Sequence, residues 1–107
     1  MDIQNFRDNP IKKVQAGDVI IRQIEPIEIT GMKKKAGNVV IESAHPHTVV
    51  GGEIYLDGDT VFVKVKKAAT FKHNNGHADI KVGAGMYFVE QKVEVDMLSD
   101  MVRAVVD

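Results

Sequence analysis

The stretch "GEIYLDGDTVFVKVKK", residues 52–67, constrains the fold more than any other. Two runs rich in β-branched and aromatic residues flank Asp57-Gly58. Asp-Gly between such runs is the strongest short-range hairpin signal, because a type I′ turn needs positive φ at both central residues. In the second run Val61, Val63 and Val65 alternate with Phe62, Lys64 and Lys66. A period of two predicts a strand with its valines toward a core and its other face mostly toward water.

The same reading extends along the chain. Ala16-Gly17-Asp18 is a turn signal, and the β-branched run over 19–24 predicts a strand. Pro26 cannot donate to a ladder, so "IEIT" is expected as an edge strand or a separate short one. Lys33, Lys34 and Lys35 form the only run of like charge and read as a solvated turn. "NVVIES" predicts a further strand, Gly51-Gly52 a turn, "ATFKH" and "HADIKV" short strands, and Gly83-Ala84-Gly85 another turn. "MYFVEQKVEV" predicts a strand with Tyr87, Val89, Val93 and Val95 on one side.

Met97, Leu98, Met101, Val102, Val105 and Val106 then fall at helical spacing, which predicts a helix over 96–106. Asp96 or Ser99 is placed to cap it. The fold class that follows is mainly β: a small sandwich or barrel-like fold of seven or eight short antiparallel strands with one C-terminal helix. Residues 1–107 form a single domain, with a polar N-terminal arm over 1–10 and the β-domain over 14–95. So short a helix is marginal alone, so it, or the arm, is expected to dock on a second copy or another protein.

Composition narrows the function classes. The net charge of -1 lacks the basic footprint that nucleic-acid binding needs. No apolar run approaches the ~20 residues of a membrane helix. The first ten residues are polar and lack a signal-peptide core. The chain has no cysteine, which removes disulfides and thiolate metal sites. Any metal site must use imidazole and carboxylate. No GxSxG, P-loop or HExxH is present, and no catalytic residue is assigned. Ser43 near His45 lacks an orienting acid.

Histidine placement is the remaining signal. All four histidines fall in two pairs, His45/His47 in "ESAHPHTVVGG" and His73/His77 in "FKHNNGHADI". On an extended chain His45 and His47 point to one face, with alpha carbons about 6.6 Å apart. Pro46 favours that geometry by pushing His45 toward an extended backbone. Both rings then reach one ion at the ~2.0–2.1 Å of a zinc–imidazole bond. Asn74-Asn75-Gly76 reads as a turn that brings His73 and His77 together. Glu42 and Glu53 flank the first pair and are candidates to complete a shell or orient an imidazole. The expected site is therefore His45, His47, His73 and His77 around one divalent ion, with zinc the best fit. Incidental loop histidines and a proton-sensitive cluster are the alternatives.

The elements "QAGDVII", His-x-His, "GEIYLDGDTVFVKV", the second histidine pair and "VGAGMYFVEQKVEVD" resemble a family of small, uncharacterised phage and prophage β-proteins. These carry Gly-Asp-Val, Gly-His-x-His and His-Glu-Glu-His elements and end in a strand and a short helix. Gln15, Gly17, Asp18, Val19, His45, His47, His73, His77, Gly85, Gln91 and Glu94 match, over roughly 14–107. Ala44 stands for the glycine of the first histidine element, and no acids lie between His73 and His77. The resemblance implies a phage-related protein of the bacterial host cytoplasm or the virion, and one constellation for both pairs. The alternative it leaves is a non-catalytic virion, assembly or decoration protein.

Overall fold

The computed structural model describes residues 2–42, 46–73, 78–96 and 101–104, of which 73, 93–96 and 101–104 are described by backbone alone. One short helix, α1 (Ile3–Asp8), precedes nine strands. These are β1 (Lys12–Ala16), β2 (Val19–Ile24), β3 (Lys33–Lys35), β4 (Val39–Ile41), β5 (His47–Asp57), β6 (Thr60–His73), β7 (Ile80–Gln91), β8 (Val93–Asp96) and β9 (Met101–Ala104). β1 to β7 form one antiparallel sheet in the order β1-β2-β7-β6-β5-β3, with β4 also paired to β5. It is neither a two-sheet sandwich nor a barrel, since β1 pairs with neither β3 nor β4.

The sheet is built on the meander β5-β6-β7, and its strands run longer than expected. Gly51-Gly52 and Gly83-Ala84-Gly85 lie inside β5 and β7 instead of forming turns. Their role is to bend the strands. Val50 pairs with Thr70 but Gly52 with Val65, so Gly51 alone stands opposite residues 66–69. Val65 pairs with Gly85 but Ala68 with Gly83, a second irregularity at the same place. Bulges kink a strand and increase its twist. Here they curl the sheet until β4 lies against β7. The two tight hairpins also differ from expectation by one residue. Asp57 pairs with Thr60, so the loop is Gly58-Asp59, with Gly58 at φ 60°. Gly17-Asp18 repeats the arrangement between Ala16 and Val19, with Gly17 at φ 61°.

Curling makes one sheet serve as its own core. The concave face gathers Val19, Ile21, Val40, Val49, Ile54, Val63, Phe71, Tyr87 and Val89. The expected alternation in β6 holds for Val63 and Val65, yet Phe62 on the opposite face is fully buried. A second cluster covers it: Ile24, Phe62, Met86 and Phe88 under Ile3, Phe6, Ile27, Ile29 and Met32. The polar arm is thus a docked helix. Asp2 caps it by accepting from the Asn5 amide at 3.1 Å. Phe6 meets Phe62 edge-on, with centroids 6.0 Å apart. Burying such a ring stabilises by about 1.5–3 kcal/mol.

Three further expectations are corrected. "IEIT" forms no strand; Pro26 starts an irregular segment whose isoleucines join the outer cluster. The lysine run forms edge strand β3 against Leu56, Tyr55 and Ile54. Lysines on an edge discourage further pairing. At the C-terminus β8 and β9 pair from Val93↔Ala104 to Asp96↔Met101. Residues 96 and 101–104 are strand where a helix over 96–106 was expected. Val93, Val95 and Val102 suit a strand as well as a helix face, and pairing decides between them. Residues 97–100, 105 and 106 of that segment lie outside the described residues.

A charge network ties α1 to the sheet. Glu90 accepts from Arg7 at 2.9 Å and from the buried Arg22, whose guanidinium lies 5.9 Å from the Phe88 ring centroid. Burial pushes the Glu90 pKa up, but hydrogen bonds and charge from Arg7 and Arg22 outweigh it and hold the carboxyl below its ordinary range. The folded state therefore favours ionised Glu90. Its contribution is full above the unfolded pKa of about 4.3 and is lost as pH falls through the lower folded value. Glu90→Gln is expected to lower stability at pH 7 and to flatten the loss below about pH 4.3, read by urea unfolding across pH. At the bend, a Cβ on Gly51 would lie 2.5 Å from the Ala68 carbonyl oxygen at φ 95°. Gly51→Ala is expected to cost about 1–3 kcal/mol by the same method.

Candidate functional site

The chemistry converges where the first hairpin turn meets the end of β7. β2 pairs with β7 from Val19↔Gln91, which sets the Gly17-Asp18 turn beside Gln91 and Lys92. The Lys92 amide donates to the Asp18 carbonyl. Gln91 Nε2 donates to Asp18 Oδ2 at 2.7 Å. Asp18, expected only as a turn residue, is 2% exposed.

His47, the first residue of β5, closes the arrangement. It is buried, and its Nε2 lies 3.3 Å from Asp18 Oδ1. The contact does not have hydrogen-bond geometry, and Oδ1 has no hydrogen-bond partner among the described residues. A buried polar atom left in that state costs about 1–3 kcal/mol. His47 also borders a cavity of about 10 Å³, walled by Ala16, Val19, Val40, Phe71, Ala78 and Val89. That is at the lower limit of the space one water needs.

Register brings one member of each histidine pair to the same place. β5 and β6 start their ladder at His47↔His73, so one member of each pair occupies one cross-strand position. Directly opposed residues have Cβ atoms about 4.5–5.5 Å apart. Pro46 precedes the ladder, and β4 reaches the same point through Ile41↔His47. His45 and His77 lie outside the described residues, as does Ser43. No group of three or more potential metal ligands occurs among the described residues.

The flanking glutamates lie elsewhere. Glu42 is exposed, 3.4 Å from Lys35. Glu53 sits midway along β5 between Lys34, Lys66 and the Tyr55 hydroxyl, which donates to it at 2.7 Å. That hydrogen bond, with the Lys34 charge, lowers the Glu53 pKa. The carboxylate at His47 is instead Asp18, 29 residues upstream. Sequence spacing carries no trace of that contact. The one legible sign was an acid in a tight turn at the head of an apolar strand.

Gln91 sets the carboxylate's orientation, so its loss has a predictable cost. Gln91→Leu leaves Asp18 Oδ2 without that donor in a buried setting. Destabilisation of about 1–3 kcal/mol is expected, measured as a fall in the urea midpoint at unchanged slope.

In comparison with known proteins, residues 15–92 match the model of a family defined by a domain of unknown function (DUF8820). No curated protein and no solved structure matches the chain.

Proposed function

The chain belongs to the family of that domain of unknown function, and we propose that it is a divalent-metal-binding β-domain, with zinc the best-fitting ion. The ion is held at the rim of the curled sheet by His47 and His73, with His45 and His77 supplying further imidazoles. The observation that carries this reading is the His47↔His73 register. It sets His47 opposite His73, 26 positions away, with the buried Asp18 carboxylate beside His47. Imidazole and carboxylate are the ligand types that zinc accepts in the absence of thiolate. Four protein ligands make a closed, structural site; three leave a position for water.

The setting follows from the resemblance: a phage-related protein of the host cytoplasm or the particle. A structural ion suits this chain. The β5-β6 ladder starts at His47↔His73, where an ion would cross-link the two strand ends.

Tag-free protein is expected to retain close to one equivalent of zinc by elemental analysis. Chelation should lower its melting temperature and added zinc restore it, since a ligand at 100 times its Kd adds about 2.7 kcal/mol. His47→Ala and His73→Ala should each abolish the zinc response. Metal-free protein with a melting temperature indifferent to zinc defeats the reading.

A further inference from the structure

We propose that Asp18 Oδ1 is a direct ligand of this ion, in the coordination position next to His47 Nε2. The inference rests on the metal-binding reading above and adds a carboxylate to its ligand set.

Distance is the first argument. Two ligand atoms each ~2.0–2.1 Å from a tetrahedral ion stand about 3.3–3.4 Å apart. Asp18 Oδ1 and His47 Nε2 are 3.3 Å apart. Oδ1 is not placed to accept a hydrogen from that nitrogen, and no other described group donates to it. The pair sits as neighbours around a shared centre do, off the hydrogen-bond line.

Support of the carboxylate is the second. Gln91 Nε2 holds Oδ2 at 2.7 Å, which fixes the plane of the group and leaves Oδ1 as the donor atom. Ligating carboxylates are commonly steadied in this way by an outer hydrogen bond. The Asp18 backbone is fixed as well, by the two-residue turn and by the Lys92 amide.

Charge is the third. The side chains of His47 and Asp18 are 5% and 1% exposed, so the ion is taken out of water. Four imidazoles leave a buried charge of two. Asp18 in place of one of them halves it, and the Born cost, which scales with charge squared, falls about fourfold.

The test uses the full chain, tag-free and reconstituted with Co²⁺, whose visible absorption reports its ligands. Wild-type protein and Asp18→Asn are compared by chelator competition and by spectrum. The expected result is an affinity loss of at least about 100-fold, the upper end for losing an outer-shell partner, with a shifted absorption band. Equal affinity and an unchanged spectrum overturn the inference and leave metal binding standing. Weaker binding with an unchanged band also overturns it, because Asp18 then only positions His47. Wild-type protein that binds no Co²⁺ removes both readings. If Asp18→Asn does not fold, zinc X-ray absorption on the wild-type protein decides. Fewer than four imidazoles with an oxygen that carries a carboxylate carbon shell supports the inference; four imidazoles with no oxygen, or an oxygen without that shell, defeats it.

Discussion

Everything in this molecule depends on the bend in the β5-β6-β7 meander. Gly51, at φ 95° and pressed against the Ala68 carbonyl, lets β5 kink where β6 carries its extra residues. Without that bend a seven-stranded sheet would expose one apolar face. With it, Val40 of β4 joins Val19 of β2 and Val89 of β7 in one cluster. The outer face is closed more cheaply, by a one-and-a-half-turn helix and the segment after Pro26. Three phenylalanines at centroid distances of 5.8–6.0 Å form the centre of that second layer.

The same curl makes the candidate site. Asp18 is carried on a hairpin turn at one end of the sheet, and His47 starts a strand three places along. A flat sheet would keep strands β2 and β5 about 14 Å apart at the 4.7–4.9 Å spacing of neighbours. Folding over brings an oxygen of one to 3.3 Å from a nitrogen of the other. Glu90 serves the opposite face in a comparable way, as the counter-charge for one buried and one helix-borne arginine. The protein thus uses two acids for different ends: Glu90 in β7 anchors α1, and Asp18 on the β1-β2 turn meets His47.

Particular elements show why parts of the fold were legible in sequence. The β6 run is clear because Val61, Val63 and Val65 fall at period two, and the β2 run because β-branched residues crowd its first half. The hairpin at 57–60 was placed correctly, but its turn is Gly58-Asp59, because positive φ is easiest for glycine at the first central position. Gly51-Gly52 and Gly83-Ala84-Gly85 misled for one reason: glycine marks both turns and bulges, and only the pairing partners tell them apart. The lysine run fits a solvated turn and an edge strand alike, because the two share a composition. The C-terminal apolar pattern fits both periods over so few residues, and strand pairing resolved it.

The sequence by itself determined the β class, the existence of the hairpin near Gly58, the absence of thiolate chemistry and the pairing of histidines along the chain. These are local properties, set by side-chain branching, glycine φ and residue identity. Tertiary structure alone decided that His47 faces Asp18 and that its register partner is His73. Both contacts join residues 26 or more positions apart, and both depend on how far a bulged sheet curls. That curl is a sum of ladder shifts and core packing, and no short window of sequence contains it.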